Sequence, residues 1–80
     1  MSEFYQSQLK AIAAERELLR AGYAAKARAE MRAVSASESV EDTMAAVDRL
    51  RAYTDALRER LNALERDEAY CTAKATEVSD

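Results

Sequence analysis

Proline, histidine and tryptophan are absent from this chain, and glycine and cysteine occur once each, as Gly22 and Cys71. Without proline, nothing breaks a helix from within. One glycine cannot build a glycine-rich phosphate loop. One cysteine cannot build an intramolecular disulfide framework. The lack of histidine removes the Ser/His/Asp and Cys/His nucleophile arrangements, the Glu-x-x-His di-metal motif and the ordinary zinc ligand sets. No run approaches the roughly 18 apolar residues of a membrane span, and no leader-like pattern opens the chain. The expectation is a cytoplasmic protein with no membrane association.

What remains is helix-forming. The 80 residues suffice for one small domain, 1–80, rich in Ala, Leu, Glu and Arg. The net charge is only −3, so nothing global points to nucleic acid. The charge is uneven all the same. Residues 1–34 hold six bases against four acids, or +2, and residues 35–80 hold six against eleven, or −5.

Leu50, Leu57, Leu64 and Cys71 lie seven residues apart, and Val40, Val47, Thr54 and Leu61 form a second such series three positions earlier. Two interleaved series at this spacing make the seam of a coiled coil. Cys71 is read as a small apolar member of that seam, with an intermolecular disulfide or a reactive thiol as the alternative. The first half carries its own seam, Tyr5, Leu9, Ile12, Leu19 and Tyr23, with Arg16 and Lys26 at intervening positions. Tyr53, Met44 and Tyr70 flank the second seam.

The only interruption is Ser35-Ala36-Ser37-Glu38-Ser39. Serine favours caps and turns because its hydroxyl competes for backbone groups. Ser39 before Val40-Glu41-Asp42 reads as an N-cap with acids in the first turn, and Ser2 can cap the first helix. The expected fold is all-α: an antiparallel two-helix, coiled-coil-like hairpin with helix one at about 3–34, a turn at about 35–38 and helix two at about 39–74. Folding at the serines pairs residues whose numbers sum to 73, such as Leu9 with Leu64, Ile12 with Leu61, Arg16 with Leu57, Tyr23 with Leu50 and Lys26 with Val47. One continuous helix pairing with another copy is the rival arrangement.

Helix one has a second stripe. Phe4, Ala11, Ala14, Leu18, Ala21 and Ala25 lie on roughly the opposite side from Leu9 and Ile12. Alanine alone would be mere helix-forming filler; two large apolar residues in register with it suggest a protein interface. Gly22 suits a place where backbones come near. The outer side of helix two, with Asp42, Arg49, Glu59 and Arg66, reads as solvated. Two hairpins meeting through their first helices would make a homodimeric four-helix assembly.

Chemistry is sparse. Glu65, Asp67 and Glu68 form the densest acid cluster and read as a solvated face. No catalytic, cofactor-binding or metal-ligating residues are expected, and a thin hairpin offers no concave pocket. Arg16, Arg20, Arg28 and Arg32, with Lys26 nearby, are possible charged contacts, for phosphates or for an acidic protein surface. The expectation is a non-enzymatic protein-binding module (adaptor, chaperone or inhibitor) whose partner is itself or an unidentified protein. The alternatives are a small nucleic-acid-associated regulator, which is less favoured, and a purely structural self-assembling coiled coil.

Overall fold

The computed structural model describes residues 2–78: helix α1, Ser2–Ala36, and helix α2, Val40–Val78. The side chain of Ser2, expected to cap α1, lies outside the described residues. The two helices pack antiparallel along their length as a hairpin whose extents are 63 × 16 × 10 Å. The chain is all-helical, and the hairpin rather than one continuous helix is its architecture.

The reversal needs neither glycine nor proline. Only Ser37, Glu38 and Ser39 lie between the helices, and no described residue has a positive φ. Hydroxyl groups do the capping. The Ser39 side-chain oxygen accepts from the Asp42 backbone N–H at 3.1 Å, the N-cap expected from sequence. The Ser39 carbonyl accepts from the Thr43 N–H at 3.2 Å, which opens α2. On the α1 side, Ser37 donates its backbone N–H to the Val34 carbonyl at 3.2 Å. The Ser37 and Thr43 hydroxyls lie 2.6 Å apart and tie the two helix ends together.

Because α1 runs on through Ala36, the reversal centres on Glu38, between one and two residues later than the sequence suggests. That offset counts twice in an antiparallel pair and slides the pairing by about three residues, roughly 4.5 Å at 1.5 Å per residue. Tyr23 therefore stacks on Tyr53, with centroids 6.3 Å apart and planes at 24°, and not on Leu50. Ile12 shares a buried cluster with Leu64 and Cys71, against which Tyr5, Leu9, Leu19 and Leu61 pack.

The residues that fill the seam also change near the turn. Val40 and Val47, expected there, are 74% and 43% exposed. Ala46 is completely buried, and Glu30 is only 7% exposed. A small side chain and a paired carboxylate thus occupy the turn end of the seam, and the large apolar contacts gather toward the open end. Gly22 has a local cause: a Cβ there would stand 3.1 Å from the Tyr53 hydroxyl oxygen. The glycine makes room for a side chain of α2, not for a helix on the open side.

Candidate protein-docking surfaces

Among the described residues, three ion pairs bridge the helices. Arg60 donates from Nε and Nη2 to the two oxygens of Glu15 at 2.7 and 2.9 Å, a forked contact. The hydrogen bond from Arg60 lowers the Glu15 pKa below the ordinary carboxylate value, and the same bond raises that of Arg60. Arg16, expected opposite Leu57, instead donates to Glu68 at 3.1 Å. Arg49, read from sequence as solvated, donates to Glu30 at 3.0 Å. Lys26 meets the other Glu30 oxygen at 3.4 Å, so the buried carboxylate lies between two cations. Glu30 was legible as a seam member, since Leu9, Arg16, Tyr23 and Glu30 run at seven-residue spacing. Its charge sets it apart from the apolar members of that series.

The possible charged contacts do not converge. Arg16 is held by Glu68, and Arg20 donates to Glu17 at 3.1 Å on the same helix. Arg28 and Arg32 are exposed. Two of the four thus already face carboxylates of this chain.

The second stripe of α1 is open to solvent along its length. Phe4 is 62% and Leu18 74% exposed, and Ala11, Ala14, Ala21 and Ala25 are all exposed. Phe4 stands edge-on to Tyr5 at 5.1 Å, and Tyr5 edge-on to Tyr70 at 6.5 Å. Lys74 lies 5.8 Å above the Tyr70 ring. A hydrogen bond to Glu77 raises the Lys74 pKa. An aromatic cluster therefore marks the open end of the hairpin.

A second apolar surface lies at the turn end, of which the sequence marks only Met44, as a residue at the edge of the second seam. Met31, Val34, Val40, Met44 and Val47 are all exposed, Val40 and Met31 by 74% and 67%. They share one side of the hairpin. Val47 lies two heptads before Leu61, and Val34 two heptads after Arg20; Leu61 and Arg20 line a common groove with Arg16, Glu65 and Glu68. The heptad pattern places Val40 and Val47, but not Val34, in the seam. They face outward near the turn, while Leu61 and Ala75 of the same series are half-buried and buried toward the open end, because a straight helix drifts by about 20° per heptad against a seven-residue repeat.

Concave surface is scarce. A shallow recess of about 260 Å³ beside the Glu15–Arg60 bridge is lined in part by Ile12, Leu64, Asp67, Tyr70 and Cys71. Among the described residues, no group of three or more Cys, Asp or Glu side chains converges as a metal site. No described helix is long and apolar enough to cross a membrane. Comparison with known proteins finds no match to a family model, a curated protein or a solved structure.

Proposed function

We propose that this chain is a non-enzymatic, cytoplasmic protein-binding module: a helical hairpin that packs its bare apolar faces on helices of other polypeptides, as an adaptor, chaperone or inhibitor. The observation that carries the reading is the turn-end surface. Five large apolar side chains stand outside the seam there, and contiguous exposed apolar surface on a small protein marks interaction sites. Two of the five are methionines, whose flexible thioethers adapt to a partner's relief. The free Cys71 thiol suits a reducing compartment.

Two surfaces imply two kinds of contact. The α1 stripe is the place for self-association, two hairpins meeting through their first helices in a four-helix assembly. Such an assembly leaves Met31, Val34, Val40, Met44 and Val47 uncovered, and the reading gives these to the larger protein. The nucleic-acid alternative is weakened by Glu68 and Glu17, which already neutralise Arg16 and Arg20.

The test is capture of proteins from the cells that make the chain, wild type against Val40→Glu/Met44→Glu. Both residues are exposed, so helicity should be unchanged by circular dichroism while the captured protein is lost. Equal capture by the two chains would reject the reading. Binding to a DNA or RNA duplex at low salt, fading steeply as salt is added, would favour the nucleic-acid alternative instead.

A further inference from the structure

The order of residues within the α1 stripe selects what covers it. Phe4, Ala11 and Leu18 form one seven-residue series, and Ser7, Ala14 and Ala21 form another three positions later, all six exposed. The stripe is therefore a second seam, spanning roughly 27 Å at 1.5 Å per residue. The Glu15–Arg60 fork bridges the helices beside it, which bars an incoming helix from the groove between α1 and α2. What is left for it is the outer side of α1.

We propose that this seam is filled by α1 of a second copy running antiparallel, with Phe4 on Ala21, Ser7 on Leu18 and Ala11 on Ala14 of the second copy. The inference rests on the reading that α1 packs on another helix, and it names that helix. Two-fold symmetry repeats each contact, giving six layers. No layer brings two large side chains together, and each large one lands on a small one. Charge agrees with shape. In an antiparallel pair the positions flanking the seam meet their own kind, which sets Lys10 of each copy against Glu17 of the other and Gln8 against Glu15.

Neighbouring alignments lack this match. Sliding one heptad toward greater overlap puts Phe4 on Arg28 and brings the two Glu17 carboxylates together. Sliding the other way sets Lys10 against Lys10 and Glu3 against Glu17, and it leaves Leu18 beyond the overlap. A parallel pair stacks Phe4 on Phe4 and Leu18 on Leu18, holding the helices apart across the alanine layers between. Glu17 already accepts from Arg20, and a carboxylate has room for a second donor from Lys10.

Sedimentation equilibrium and disulfide trapping of the full chain test this, the latter in a Cys71→Ala background. Wild type should sediment at twice the chain mass. Ala11→Cys chains mixed with Ala14→Cys chains should form mixed disulfides under mild oxidation. Ala21→Cys alone should not, because its two copies stand roughly 25 Å apart along the axis. Lys10→Glu should weaken the dimer about tenfold through like-charge contacts, and Lys10→Glu/Glu17→Lys should restore it. A monomer at every concentration, or ready self-crosslinking of Ala21→Cys, overturns the proposal. A monomer that still captures a protein through Val40 and Met44 overturns this dimer and leaves the proposed function standing. A crosslinked dimer that captures nothing does the reverse.

Discussion

Glu30 shows how a polar residue can belong to a seam. Its side chain is 9% exposed and meets Lys26 and Arg49 at 3.4 and 3.0 Å, while the two cations keep much of their surface in water. Removing both partners strands a buried carboxylate, which is far costlier than losing an exposed pair. Lys26→Met/Arg49→Met should therefore cost about 3 kcal/mol in urea unfolding. Adding Glu30→Leu should recover most of that, because an apolar residue needs no counter-charge. If the triple variant is no more stable than the double, the buried carboxylate is not the source of the loss. Sequence spacing put Lys26 at a seam position of α1, but did not bring it together with Glu30 and Arg49. That meeting depends on how far α2 has slid.

At the scale of the helices, local propensity and interhelical fit pull against each other at Gly22. Glycine in a helix interior is less favourable than alanine by about 1 kcal/mol. Here it leaves space for the Tyr53 hydroxyl, which a Cβ would meet at 3.1 Å. Gly22→Ala should thus gain well under the full 1 kcal/mol in thermal unfolding, since the stacked Tyr53 must shift. In a Tyr53→Phe background, where the oxygen is gone, the same substitution should gain close to the full amount of about 1 kcal/mol. Equal effects in both backgrounds would mean that Tyr53 does not constrain position 22. The Ser39 N-cap, by contrast, was legible: Ser39 caps α2 as its neighbours Val40-Glu41-Asp42 suggest. The end of α1 was not, because Ser35 and Ala36 can join a helix as readily as a turn.

The whole molecule is a thin rod, 16 × 10 Å across, with Ile12, Ala46, Leu64, Cys71 and Ala75 as its buried apolar residues among those described. A core this small limits how stable one hairpin can be alone. Association that covers the α1 stripe should add stability by mass action. The melting temperature of wild type should therefore rise with protein concentration, and that of Phe4→Glu/Leu18→Glu should not. Scans over a hundredfold concentration range check this. A wild-type melting temperature independent of concentration would show that the folded unit is the single hairpin.

The sequence by itself determined two long helices, a reversal at the serines, a heptad seam on each helix and an extra apolar stripe on the first. These follow from propensity, capping chemistry and the helical period, all properties of neighbouring residues. Only the tertiary structure decided which heptad series is buried near the turn, and so turned Val40 and Val47 outward and Glu30 and Ala46 inward. The reason is that a straight helix drifts by about 20° per heptad against a seven-residue repeat, so a series buried toward the open end leaves the seam near the turn. The length of α1 and the bonds closing its turn select one alignment, and with it the surface left for a partner.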